Sequence, residues 1–441
     1  MNRWIFLLCL SLGLQVVSAN PILRTRLNPP KKTYGVNAWQ IGIATIATPE
    51  TISVYLFTPS PLHVDWGDGS SNDYTVTSTN SHSYASPGTY TISFSGTVVS
   101  IKWTSVTYGG TPLVVRSIKN AVTGIAGITT FSYTFYGCSG LTGSIPTGLF
   151  DKNTLANTFY FTFNGCSGLT GSIPTGLFDK NTLATAFSST FNGCSGLKES
   201  IPTGLFDKNT LATAFSDTFN GCSGLKESIP TGLFDSNILV TTFSSTFNGC
   251  SGLTESIPTG LFDKNTLANT FYYTFYGCSG LKESIPTGLF DKNTLATTFS
   301  STFNGCSGLT GSIPTGLFDS NILVTNLVGT FYRTSGSSRE PPPITLLTKL
   351  ITLDYSKSKF TNWTSSVMST NITSFKIGTN TLSAANVNQI LADFVANVTA
   401  AKPLPTGVVV NTVGNAAPTG QGLLDKATLA GAPWNWVVTT D

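Results

Sequence analysis

The sequence predicts an α/β repeat solenoid of 28-residue coils, each with a short strand and a short helix, preceded by a small all-β sandwich. Three observations point there. Thr-Phe ends at Phe135, Phe163, Phe191, Phe219, Phe247, Phe275, Phe303 and Phe331, always 28 residues apart, and self-similarity at such a period marks stacked repeats. Within one coil, Leu183, Phe187 and Phe191 lie four apart as the apolar stripe of a short helix, whereas Ser200-Ile201-Pro202 reads as extended. Ahead of the array, residues 51–57, 62–66 and 89–94 alternate apolar and polar. The turns Gly67-Asp68-Gly69-Ser70 and Ser86-Pro87-Gly88 lie between them, as expected for antiparallel strands folded into a sandwich.

Composition narrows the function class. The 441 residues have room for two or three domains. Only 10% are charged, while Gly, Ser, Thr, Asn and Pro are abundant, which suits an extracellular repetitive protein. The net charge of +3 gives no basic field for a nucleic-acid backbone. Arg3, the apolar run at 4–14 and Val17-Ser18-Ala19 have the layout of a secretory signal peptide cleaved before Asn20, and Cys9 leaves with it. No later stretch is apolar enough to span a membrane, so the mature chain is expected to be secreted or held at a cell surface. The segment Leu404-Pro405-Thr406-Gly407 falls one residue short of a wall-sorting motif.

In order, the chain reads as a signal peptide at 1–19, a linker at 20–35, the β-sandwich at 36–108 and an N-terminal solenoid cap at 109–130. The repeats at 131–334 follow, then a Pro-rich linker at 335–343 and an irregular C-terminal cap at 344–441. In that cap Leu347, Leu350, Leu353, Ile372, Phe375 and Ile377 look like further coils, 382–399 is helical in pattern, and 408–410 is strand-like.

Cys138, Cys166, Cys194, Cys222, Cys250, Cys278 and Cys306 each stand three residues after a repeat Phe. Stacking puts equivalent positions about 4.8 Å apart, so the cysteines read as one internal ladder of small apolar fillers. Disulfides and a metal site remain alternatives, although seven is odd and a linear ladder does not converge on one ion. Asp151, Asp179, Asp207, Asp235, Asp263, Asp291 and Asp319 form a second column, read as helix caps together with Asn181 and Thr182; calcium is the competing reading. Glu199 would point inward under strict alternation, yet Gly171 occupies the same place, so 198–199 reads as a turn. His63 and His82, the only histidines, read as structural, and Asp65 and Asp68 as turn residues.

Three resemblances attach to the chain. "VDWGDGS" at 64–70 with "HSYASPGTYTISFSG" at 82–96 resembles the signature of PKD-type domains, which implies an extracellular spacer or binding module. "TFNGCSGL" followed by "IPTGLFDKNTLATTF" resembles the BspA-like leucine-rich repeats of bacterial surface proteins, implying a leucine-rich-repeat (LRR-like) solenoid and an adhesion-type role. The tail around "GNAAPTGQGLLDKATL" is similar to C-terminal segments of bacterial surface and phage tail-fibre-like proteins.

No GxSxG, HExxH or P-loop pattern occurs and the cysteines repeat as structure, so the expectation is a non-enzymatic binding or adhesion protein without cofactor. Its partner is a protein or glycan on another surface. A structural surface spacer and a tail-fibre-like receptor-binding protein are the alternatives. Positions that differ between near-identical copies mark the expected binding face: Tyr160, Lys198, Lys226, Tyr272, Tyr273 and Lys282, with Tyr276 a further aromatic substitution.

Overall fold

A computed structural model describes residues 38–45, 50–104, 115–335, 340–364, 366–399, 407–431 and 433–441. The expected signal peptide, the lead-in linker and residues 404–406 lie outside the described residues.

Alternating side chains build the front region from β1 (Trp39–Thr45), β2 (Glu50–Phe57), β3 (Leu62–Asp65), β4 (Ser71–Tyr74), β5 (Ser78–Tyr84), β6 (Gly88–Thr97) and β7 (Ser100–Thr104), joined by β8 (Val115–Ile118) and β9 (Ile125–Ala126). One sheet runs β4-β3-β6-β1-β8, with β9 added to β6, and a second runs β5-β2-β7. Trp39, Ile41, Ile43, Val54, Val64, Trp66 and Phe94 are buried, as period-two alternation requires. The described part of the segment expected to begin the solenoid, 115–130, also returns to the front sheet: β8 pairs antiparallel with β1 and β9 parallel with β6. The Trp39 ring meets Phe135 of the first coil at 5.9 Å, and Val122 N donates to Leu149 O at 2.8 Å. The front core and the array core therefore join.

The repeats contain no helix, which corrects the expected coil. Among the described residues between β9 and Asn326, each coil is a chain of tight turns tied by one column of parallel bridges, through Thr158, Ala186, Ala214, Thr242, Thr270, Thr298 and Asn326, with a further bridge between Gly143 and Leu169 at the start of the array. The reason is where the backbone donors go. Thr185 N donates back one coil to Asn157 O, and Phe191 N donates forward to Thr218 O, so the bonds a helix would close internally are spent between coils. A Ser/Thr/Asn-rich stretch this short does not nucleate a helix against that competition. Leu183 consequently faces out, 46% exposed, as do Leu155, Leu211, Leu239, Leu267 and Leu295. Ser200-Ile201-Pro202 is not the strand either; Ile201 is buried, but the pairing column lies at the Ala186 position.

What the repeat does build is a ladder core. Phe135, Phe163, Phe191 and their successors to Phe331 stack nearly parallel at centroid separations of 5.3 to 5.9 Å. The columns starting at Phe131 and Phe150 stack beside them. Two polar columns satisfy the backbone between the rings. Thr190 Oγ1 donates to Phe187 O at 2.6 Å and lies 3.0 Å from Phe159 O. Asn237 Nδ2 donates to Asn209 O at 2.9 Å and Phe206 O at 3.1 Å, and Asn181, Asn209, Asn265, Asn293 and Asn321 repeat this. Asn181, read as a helix-start residue, is thus a fully buried rung.

Replacing Asn237 by Ala should remove two buried hydrogen bonds, at about 0.5–1.5 kcal/mol each, while Asn209 N and Ala212 N still donate to the two carbonyls. Thr241→Ala, which removes an exposed hydroxyl bonded to Thr213 O, should change urea-unfolding stability by less than about 0.5 kcal/mol. Equal effects from the two would mean that water reaches the Asn column.

The bridge column widens into a parallel sheet after the last full repeat: β10 (Asn326–Val328), β11 (Thr352–Asp354), β12 (Ser374–Lys376), β13 (Val409–Asn411) and β14 (Val437–Thr439), in that order. Leu347, Leu350, Leu353, Ile372, Phe375 and Ile377 are buried as expected. Pro341 and Pro342 are buried too, so these residues of the Pro-rich segment are part of the core and not a solvated linker. Helix α1 (Ala384–Thr399) buries Val387, Ile390, Leu391 and Phe394, and α2 (Gln421–Ala430) packs against it. No helix of the described residues is long and apolar enough to cross a membrane.

Candidate binding face

The repeated sulfur is the first chemical candidate, and its geometry is that of a rung. All seven array cysteines are buried and none forms a disulfide. Each from Cys166 to Cys306 donates its S–H to a Phe carbonyl of the preceding coil, as Cys222 does to Phe191 O at 3.0 Å. Burial pushes the Cys138 and Cys278 thiols up to about 12, and raises those of Cys166, Cys222 and Cys250 well above the usual range. A thiol held neutral and covered is neither nucleophile nor ligand. The cysteine is a hydrogen-bond donor as well as the apolar filler the spacing suggested.

The carboxylates and histidines are local. Asp65 Oδ1 accepts from Gly67 N and Asp68 Oδ1 from Ser70 N, the expected turn roles. Burial acts to raise the Asp68 carboxyl, but hydrogen bonds from Ser70 and His82 prevail and lower it. His82 lies 2.7 Å from Asp68 and stacks on Trp66 at 4.8 Å; His63 lies 2.6 Å from Asp73. The Asp179 column has no helix to cap. Its backbone N–H closes a turn onto Gly176 O at 3.1 Å, and the side chains sit at or near the surface. Among the described residues no group of three or more His, Cys, Asp or Glu is placed to hold a metal ion.

The outward residues beside the bridge column form the remaining candidate. From Thr158 to Thr270 the bridging residue, the buried Phe and the next residue alternate outward, inward, outward; in the following coil Ser300 is buried. The residue after that is left-handed in every coil: Tyr133, Phe161, Ser189, Asp217, Ser245, Tyr273 and Ser301 have φ of 54 to 62°, ending at Gly329 with φ 66°. For a side chain larger than glycine this conformation costs roughly 1–2 kcal/mol. Two coil groups nonetheless carry rings there.

Tyr133 stacks on Phe161 at 5.0 Å, with Tyr136 and Tyr160 alongside. Four coils beyond Tyr160, Tyr272 meets Tyr273 at 4.0 Å and Tyr273 meets Tyr276 at 4.8 Å. Tyr136, Tyr160, Tyr272 and Tyr276 are 37 to 46% exposed. Coils between the clusters carry Ser and Asn at these positions, with Asp217 the one exception.

The expected site therefore divides. Tyr160, Tyr272 and Tyr273 lie on this face. Lys198, Lys226 and Lys282 lie exposed on a later bend of the coil, where Lys226 N donates to Glu199 O of the preceding coil. Glu199, with φ 63°, confirms the turn there. No described contact joins the lysines to the tyrosines. Tyr133, Tyr136 and Phe161 were missed, because the first coil has no earlier copy for comparison and Phe161 reads as core. The signal was present in columns otherwise filled by Ser and Asn.

No family model and no curated protein matches the chain. Solved structures with some likeness include the leucine-rich repeat domain of APL1B, at TM-score 0.28 and 16% identity, covering 44% of this chain and 60% of that one. The TLR13–ssRNA13 complex gives 0.24 and 13%, covering 68% and 53%. The functional domain of InlJ from Listeria monocytogenes, described as including a cysteine ladder, gives 0.21 and 14%, covering 65% and 74%. The chain thus spans between half and two thirds of the first two. At these scores and identities the likeness extends to no shared activity or partner; the repeat fold rests on this chain's own bridges and stacked rings.

Proposed function

We propose that the chain is a non-enzymatic binding protein, displayed outside the cell, that presents the outward face of the bridge column to a partner on another surface. The carrying observation is that inward positions are nearly invariant from coil to coil while rings are placed outward, three of them, Tyr133, Phe161 and Tyr273, half-buried at left-handed positions. Interfaces concentrate their energy in such tyrosines, which offer contact area at low entropic cost. In this reading the front sheets act as a PKD-like spacer and the coils as a BspA-like array.

The test is a screen of the full chain against immobilised surface proteins and glycans, with the variant Tyr272→Ala/Tyr273→Ala in parallel. Saturable binding by the parent chain that weakens about tenfold in the variant, at a melting temperature changed by no more than exposed sites allow, is expected. Absence of saturable binding to any surface would leave the array as a spacer. Binding unaffected by the variant would move the site off this face.

A further inference from the structure

Resting on the binding reading above, we propose that the two aromatic clusters stack the sugar rings of one neutral glycan chain laid along the coil axis, with the Ser, Thr and Asn columns between them bonding its hydroxyls.

The face has the right chemistry and lacks what other partners need. A pyranose presents a C–H-rich face suited to the negative face of an aromatic ring, and its rim of hydroxyls needs groups that both donate and accept, which serine and threonine hydroxyls and asparagine amides supply. Between the clusters the columns Ser188, Ser216, Ser244 and Asn192, Asn220, Asn248 are of this kind, while the bridge column carries Ala186 and Ala214 before Thr242. Across the four outward columns of the array Asp217 is the one charge, and it accepts a hydrogen bond from Asn220 at 2.8 Å. A nucleic-acid backbone would require lysines and arginines there. A protein partner would favour a desolvated apolar pocket around its aromatic anchors, whereas the residues between these clusters are small and mostly polar.

Geometry favours an extended ligand. Tyr160 and Tyr272 occupy equivalent positions four coils apart, on the order of 20 Å at the spacing of stacked strands. One chain touching both gains effective concentration at the second cluster. At the first cluster Lys102 Nζ sits 5.2 Å over Tyr133, which also stacks on Phe161, leaving Tyr136 and Tyr160 as the presented rings. Tyr332, farther along, has Arg333 and Lys357 near its ring at 5.2 and 5.6 Å and is not part of the proposal.

The experiment is isothermal titration of the full chain with cellohexaose, mannohexaose and maltohexaose, with hexagalacturonate as the charged comparison. The variant Tyr272→Ser/Tyr273→Ser carries the residues that the next coil has at Ser300 and Ser301, so its fold is preserved by design. Should its melting temperature fall, Tyr276→Asn, matching Asn304, is read in its place. At least one neutral hexaose is expected to bind, more tightly than hexagalacturonate, and to lose about tenfold in affinity in the variant. Equal affinity in parent and variant overturns the proposal, as does a preference for the charged chain. If no neutral hexaose binds while a protein from the screen binds and loses affinity in the variant, the glycan assignment falls and the binding reading stands. If nothing binds at all, both fall.

Discussion

Raising the pH from about 8 to 10 is expected to unfold the array steeply, with about six protons released. The buried thiols are the cause. Burial raises the folded pKa of Cys138, Cys166, Cys194, Cys222, Cys250 and Cys278, to about 12 in the first and last. In the unfolded chain a thiol ionises near 8.5. Below that value both states hold the proton and the thiols are neutral to stability. Above it the unfolded state alone loses protons, so stability falls with pH until the folded value is reached. One pH unit above 8.5, each thiol has withdrawn about 1.4 kcal/mol and six together on the order of 8 kcal/mol, comparable with the whole stability of many domains. Urea unfolding at intervals across this range should give a limiting slope near six protons, and Cys222→Ala should lower it by one. The same burial predicts thiols slow toward an alkylating reagent at pH 8 while folded and all reactive in denaturant. A slope near zero, with a single thiol reactive in denaturant, would mean that the sulfurs pair.

Phe275→Ala should cost about 3–5 kcal/mol. The ring is fully buried, stacks on Phe247 and Phe303 at 5.6 Å each, and lies 6.2 Å from Phe262. Its removal takes one neighbour from each of three rings, and the carbonyl of the same residue still has to accept the Cys306 S–H. Ladder registry prevents the flanking coils from collapsing into the space, since their backbones are tied on both sides through Phe247 N to Thr274 O and Phe275 N to Thr302 O. The penalty should therefore fall at the upper end, and Phe275→Leu should recover more than half of it by refilling volume. Chemical denaturation of the two variants measures this; a cost under 1 kcal/mol for the alanine would mean the coils close up and the ladder is not rigid.

The sequence determined a good deal by itself. Identical residues at a fixed period must occupy equivalent places in a stack, so the period alone put Cys138 to Cys306 and the columns starting at Phe135 and Phe150 into ladders, and each is buried. Alternation located the front strands, and the change of spacing after Pro343 located the irregular coils through Leu353, Phe375 and Val410. Copies that agree inside and differ outside pointed to Tyr160, Tyr272 and Tyr273.

Only the tertiary structure decided how each coil spends its backbone. The spacing of Leu183, Phe187 and Phe191 satisfies a helical stripe, but Phe187 and Phe191 are turned inward by bonds to other coils, from Thr185 N to Asn157 O and from Phe191 N to Thr218 O, while Leu183 is left outside. A periodicity test looks along one segment and cannot register hydrogen bonds made to residues 28 positions away. For the same reason Asn181 read as a helix start and proved to be a rung, and Tyr133 and Phe161 read as unremarkable or as core and proved to be neighbours on one face. Which residues repeat is a local property of the chain; which of them meet depends on partners that only stacking supplies.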